Sequence, residues 1–408
     1  MFPFRTKPPA RTAVGWEHLV IRPDTKLSPA DRRRVEKAIR RAKKEGKIAR
    51  TAQQTIPYEE MYQDGICHIQ NQLYSKSVCC EDINYKEASD DEKAVLFELY
   101  CKLVNYFGSS VGFELSVICY PADMEEYRKL LAIKAQGDQH DVIRKEYSDM
   151  LVRQVSKSRY ERRICLTYTI EADTIKQARS RLSQIEGDVI NRFRALNVET
   201  KPMDGYERLS VFHKCLHLEE PRKFRFNWDS LNQTGLSSKD YIAPSSFFFK
   251  DGRYFRTGAT FGAVSFLQIR ATKIYDTLLD DLLNLEGSQI VSIHAKALDQ
   301  NAALKMVKRK LSDLDKAKID EQKRAVRSGF DMDILPPDLV TFGKEAQKLL
   351  EALQSQDEKM FLVTILISHA AANRQKLENL IYSANGIANT HNCDLIRLDY
   401  QQEQGFMS

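Results

Sequence analysis

The spacing of apolar positions changes along the chain. Between 28 and 44, Val35, Ala38, Ile39 and Ala42 recur at helical spacing, with Ser28 placed as N-cap, Pro29 at the first helical position, Asp31 in the first turn and Gly46 just beyond the end. After Pro57 the pattern becomes one of short strands alternating with helices. Strands over 65–70 and 73–83, turning at Gln70-Asn71-Gln72, precede a helix over 89–107 and a strand over 113–120. The long polar stretch 124–157 reads as helical and leads to a strand over 164–170, a helix over 174–196 and a strand over 209–218. Pro221, Trp228, Gly235 and Pro244 interrupt any period between 219 and 246. Strands over 247–249 and 262–269, a helix over 275–284 and a strand over 289–297 follow. The rest reads as a charged helix over 299–328, a helix over 339–354, a strand over 360–367, a helix over 375–389 and a strand over 393–399.

This order predicts an α/β (α+β) fold built of two ββαβ/βαβ-type lobes with long helices and a basic amino-terminal arm. The arm is assigned to 1–50, the first lobe to 51–220, an irregular linker to 221–245 and the second lobe to 246–408. The second lobe repeats the βαβ order of the first without a residue-level repeat. A length of 408 residues is too great for one ordinary core, which agrees with two lobes.

Hydrophobic residues at 42% and charged residues at 29% exclude a wholly disordered or collagen-like chain. No run approaches the roughly 18 apolar residues of a spanning helix, and the most apolar one, at 360–367, has the length of a strand. Met1-Phe2-Pro3-Phe4-Arg5 opens no secretory signal, so a cytoplasmic protein is expected. Eight cysteines without a Cys-x-x-Cys pair then read as free thiols. The net charge of +6 is unevenly placed, with 15 basic and 5 acidic residues in 1–50 against 47 and 51 in the remainder, a balance of +10 against −4. Arg32, Arg33, Arg34, Lys37, Arg40, Arg41, Lys43 and Lys44 crowd the helix at 28–44, which is the candidate surface for an anionic membrane, an acidic partner or nucleic acid.

Catalytic signatures are weak. Gly46-Lys47-Ile48 and Gly343-Lys344-Glu345 lack the upstream glycine and the hydroxyl that a phosphate-binding loop requires, and Gly258-Ala259-Thr260-Phe261-Gly262 lacks the lysine. No Gly-x-Ser-x-Gly is present, and the acidic pairs Asp90-Asp91, Asp280-Asp281 and Asp331-Met332-Asp333 read as caps and solvated surface. No enzymatic activity and no cofactor are therefore expected. His213, Cys215 and His217 would share a face of a strand and are the candidate metal ligands, although such alternation is more often a half-buried sheet face. Cys79 and Cys80 would face opposite ways. Lys250-Asp251-Gly252-Arg253-Tyr254-Phe255-Arg256 interleaves cations with rings, as a single-strand nucleic-acid site would, but also as a twisted hairpin would. Leu304, Val307, Leu311 and Leu314 form a seam that a partner helix or the chain's own lobe could cover.

Several of these stretches also resemble a known family. Thr51-Ala52-Gln53-Gln54-Thr55-Ile56-Pro57-Tyr58 with Asp64-Gly65-Ile66-Cys67 is similar to the amino-terminal region of conjugative-transfer ATPases of the type IV secretion family, in the branch carried by Gram-positive mobile elements. Ile242-Ala243-Pro244-Ser245-Ser246-Phe247, Gly262-Ala263-Val264-Ser265-Phe266-Leu267, Asp313-Leu314-Asp315 with Glu321-Gln322-Lys323, and Gly329-Phe330-Asp331-Met332-Asp333 resemble the same proteins in order and spacing, so that the likeness covers about 50–408. The resemblance implies an α/β region that precedes a RecA-like motor, and 401–408 looks like the segment just before that motor. No Walker residue can be carried over. What the resemblance implies is a non-catalytic docking and assembly module at the cytoplasmic face of the membrane, partnered by inner-membrane channel components and an ATPase motor and oligomeric in the assembled system. A free-standing nucleic-acid-binding protein of a mobile element is the alternative.

Overall fold

The computed structural model describes residues 51–83, 85, 87–155, 160–220, 222–271, 274–275, 277–327, 337–355 and 358–408. A short helix α1 (Ala52–Thr55) leads into β1 (Glu60–Met61), β2 (Cys67–Gln70) and β3 (Leu73–Cys80). The β2–β3 hairpin turns where expected, with Asn71 at φ 52. Helix α2 (Asp90–Tyr106) starts at a capping box in which Ser89 and Glu92 exchange hydrogen bonds, and β4 (Val111–Pro121) follows. The stretch expected as one helix over 124–157 divides into α3 (Met124–Leu131) and α4 (Asp141–Val155). Between them Gly137 adopts φ 79, and the Asp141 carboxylate accepts hydrogen bonds from the Gln136 and Gly137 amides, which fixes a turn instead of a continuous helix.

Next come β5 (Tyr160–Glu171), α5 (Ile175–Ala195) and a short β6 (Thr200–Pro202). The strand expected over 209–218 is instead a helix, α6 (Gly205–Leu216). The Asp204 side chain accepts from the Glu207 amide while the Glu207 carboxylate accepts from the Asp204 amide, and this capping box starts the helix. Leu209, Phe212 and Leu216 also recur at 3,4 spacing, so the apolar pattern was compatible with both periods and the cap decides between them. The irregular stretch holds two short helices, α7 (Trp228–Thr234) and α8 (Ser238–Ile242). The remainder runs β7 (Phe247–Phe248), β8 (Phe255–Thr257), β9 (Thr260–Ile269), α9 (Thr277–Leu283), β10 (Ser288–Ala297), α10 (Gln300–Arg327), α11 (Pro337–Ser355), β11 (Phe361–Ala371), α12 (Arg374–Thr390), β12 (Cys393–Arg397) and α13 (Gln402–Phe406).

These strands form one sheet of order β1-β2-β3-β5-β4-β10-β11-β9-β8-β7, with β6 on β3 and β12 on β9. All pairings among the described residues are antiparallel. The order contains the same unit twice. The first is β3-α2-β4-(α3, α4)-β5-α5-β6, with strands arranged β6-β3-β5-β4; the second is β9-α9-β10-(α10, α11)-β11-α12-β12, arranged β12-β9-β11-β10. Each is a split βαβ unit with a helical hairpin inserted between its second and third strands. Each is also preceded by a two-stranded hairpin that pairs with the start of the unit's first strand, and followed by a helix, α6 or α13. The two units meet through β4 and β10, paired antiparallel from Gln289↔Cys119 to Lys296↔Gly112. An antiparallel pairing of equivalent strands relates the units by an approximate two-fold axis perpendicular to the sheet.

Helices α2, α5, α9 and α12 cover one face. Ala178, Leu182, Ile185, Val189 and Phe193 of α5 pack on Val78, Leu166, Tyr168 and Ile170, and Phe107 stacks on Phe113 at 4.4 Å. Leu278 and Leu282 of α9 and Ala384 and Ala388 of α12 cover Val117, Val291 and Ile367. The first part of the α10 seam is covered within the chain, because Ala303, Val307, Leu304 and Leu311 pack on Leu350 and Leu353 of α11. The opposite face of the sheet lies under α6, α8 and α13.

Candidate functional site

Between that second face and its cover lies a cavity of about 320 Å³. It straddles the β4–β10 joint, so residues of both units line it. Its floor is polar because strand alternation turns hydroxyl-bearing residues toward it. Ser77, Thr167, Glu114, His294 and Thr364 stand in register on five adjacent strands, β3, β5, β4, β10 and β11. Ser77 and Thr167 share a hydrogen bond of 2.8 Å, and the Ser116 hydroxyl donates to Glu114 Oε1 at 2.8 Å. His294 Nδ1 lies 3.8 Å from Glu114 Oε2, and burial pulls this imidazole below its ordinary pKa while Glu114 opposes the shift. The Ser368 hydroxyl, which also lines the cavity, is 7% exposed and has no hydrogen-bond partner among the described residues.

The cover is largely apolar. Tyr58, Phe212, Leu216, Ile242 and Phe406 supply rings and aliphatic surface. The Tyr58 hydroxyl is tied to Ser238 Oγ at 2.8 Å, and burial raises its phenol above the ordinary range. Arg208, projecting from α6, is 3% exposed. Its Nη1 donates to the carbonyls of Gly65 and Ser75 at 2.8 and 2.9 Å, and its Nη2 donates to Ser75 Oγ at 3.0 Å. Two glycines permit this approach. Gly65 sits at φ +81 where a Cβ would lie 2.0 Å from the Met203 carbonyl, and a Cβ on Gly205 would lie 2.2 Å from the Tyr62 carbonyl. The arrangement is a binding cavity, with a cation at one end, a carboxylate–imidazole pair near the centre and apolar walls.

Of the candidate metal ligands, His213 and Cys215 belong to α6 and His217 is its carboxyl-terminal cap, so the three do not share a strand face. His213 and His217, one turn apart, stack at 4.1 Å between ring centroids, and His217 Nδ1 lies 2.8 Å from the His213 carbonyl oxygen. Cys215 faces the cavity. Among the described residues no group of three His, Cys, Asp or Glu side chains is placed to hold a metal ion. Cys79 is the register partner of Cys165 across β3 and β5, and Cys80 faces the other way, as alternation requires.

In the segment 250–256, Tyr254 and Phe255 are buried, and the Arg256 guanidinium lies 4.8 Å from the Phe248 ring centroid and 5.6 Å from that of Phe261. The rings are committed to packing and are not presented to bases. Arg32, Arg33, Arg34, Lys37, Arg40, Arg41, Lys43 and Lys44 lie outside the described residues. Glu114, His294, Arg208 and Ser368 were not singled out by sequence. The available signal was the repeated placing of Ser and Thr at alternate positions within otherwise apolar strands.

Apolar side chains also gather on the inserted hairpins. Ile143, Tyr147 and Met150 recur at 4,3 spacing on one face of α4 and are all exposed, Ile143 at 61%, and Leu130 of α3 is 74% exposed. Phe342 and Leu349 of α11 are exposed as well. No helix among the described residues is long and apolar enough to cross a membrane. No protein-family model and no curated protein matches the chain.

Proposed function

We propose that this chain is a non-catalytic docking and assembly module of a conjugative type IV secretion ATPase, working at the cytoplasmic face of the membrane between the channel components and a RecA-like motor. Some of the stretches that carry the family resemblance lie close together in the fold. Ile56, Tyr58, Cys67, Ile242 and Phe247 pack in one cluster against α6, and Val264 lines the adjoining cavity.

The observation that carries the docking role is the uncovered apolar face of α4. Single exposed apolar residues are ordinary, but an aligned row on a hairpin that projects from the sheet is the form of a contact surface. The two hairpins leave opposite ends of the sheet, since β4 and β10 run antiparallel and each hairpin follows the carboxyl end of its strand. One module can thus contact two neighbours at once.

The test is co-sedimentation of the chain with membranes that contain the channel components, for the wild type and for Ile143→Glu with Met150→Glu. The wild type should sediment with the membranes, and the double variant should stay in the supernatant with its melting temperature unchanged, because both positions are exposed. Equal sedimentation of the two proteins, or ATP hydrolysis by the chain alone, would overturn the reading.

A further inference from the structure

The cavity at the β4–β10 joint is independent of the α4 surface and has a chemistry of its own. We propose that it binds a small apolar molecule that carries a single carboxylate, with the carboxylate meeting Arg208.

The charge is the first argument. Arg208 is buried, and its hydrogen bonds run to two carbonyls and one hydroxyl, with no ion pair among the described residues. Glu114, the carboxylate in the cavity floor, acts on Arg208 only through space and makes no hydrogen bond or ion pair with it, so the desolvation cost of the cation is compensated in part, and an entering anion offsets the rest through charge-assisted hydrogen bonds. A guanidinium suits a planar carboxylate in particular.

The walls set the rest of the ligand. Tyr58, Phe212, Leu216, Ile242, Leu366 and Phe406 present carbon to the cavity, so the side of the molecule that meets them must be apolar. Glu114 in the floor disfavours a second negative charge. It already has the Ser116 hydroxyl and the His294 ring beside it, so it does not call for a cationic ligand in the way Arg208 calls for an anionic one. A volume of about 320 Å³ falls at the lower end of the roughly 300–1,000 Å³ of small-molecule sites.

Isothermal titration calorimetry with decanoate, decanol and decylammonium, each kept below its micellar concentration, tests the assignment. Decanoate should bind saturably at one per chain, decanol about tenfold more weakly or worse, and decylammonium not at all. The variant Ser368→Leu narrows the cavity without removing a hydrogen bond, so it should weaken decanoate binding about tenfold or more while leaving the circular-dichroism melt unchanged or higher. Arg208→Met should reduce decanoate binding to the level of decanol where it folds. The proposal is overturned if decanoate gives no saturable heat, if decanol binds as well as decanoate, or if folded Ser368→Leu binds like the wild type.

Discussion

His369 gives the sharpest test of the packing. It lies on β11 beneath α12, is 0% exposed, and neither ring nitrogen has a hydrogen-bond partner among the described residues. Burial, assisted by the nearby Arg397 of β12, pulls its pKa from 6.5 to about 4. In the unfolded chain the ring takes up a proton near 6.5, whereas the folded chain resists until about 4, so the unfolded state binds more protons across that window. Stability from this group is therefore intact above pH 6.5 and falls as the pH drops toward 4. The full loss is about 3 kcal/mol, of which about 2 kcal/mol is lost by pH 5. Urea unfolding at pH 7 and pH 5, for wild type and His369→Leu, measures it. At pH 7 the variant should be as stable as the wild type or more so, because it removes two unpaired buried nitrogens. Between pH 7 and pH 5 it should lose about 2 kcal/mol less than the wild type. Equal losses in the two proteins would refute the claim that burial keeps this imidazole neutral.

Three further outcomes are expected. Asp204→Ala removes one half of the α6 capping box and should cost about 1 kcal/mol in denaturant unfolding; no change would mean that packing alone holds the helix start. Gly205→Ala would set a Cβ 2.2 Å from the Tyr62 carbonyl and 2.7 Å from the Trp228 ring, and should cost about 1–3 kcal/mol; a variant as stable as the wild type would show that this approach is looser than described. The hydrogen bond with Cys165 holds the Cys79 thiol below its usual pKa, while burial raises that of Cys67, so iodoacetamide at pH 7 should label Cys79 well before Cys67. Mapping the adducts by mass spectrometry checks the order, and labelling of Cys67 first would contradict it.

Much of the element order was legible because its signals are local. Ser89 with Glu92, Thr174 before the apolar face of α5, and the turn at Asn71 each announce an element within a few residues. The errors arose where two periods fitted the same residues, as at 209–218, or where one turn divided a polar helix, as at Gly137. The antiparallel joint of β4 and β10 depends on residues about 170 positions apart, beyond any local pattern. The cavity was hidden for a related reason. Ser75, Ser116 and Ser292 read as solvent-facing strand positions, and only the covering layer of α6, α8 and α13 makes their face an interior. Arg208, just ahead of the strand expected over 209–218, likewise gives no local sign of its bonds to Gly65 and Ser75, across more than 130 positions.

The placing of the two hairpins has a mechanical side. A pull applied between them acts along the strands and drags β4 and β10 in opposite directions, each toward its own carboxyl end. The ladder that joins the units is then loaded in shear, and its hydrogen bonds from Gln289↔Cys119 to Lys296↔Gly112 share the strain together instead of opening one after another. Neighbours that grip the two ends of this molecule would be coupled by a stiff strut whose strongest direction is the one in which they pull.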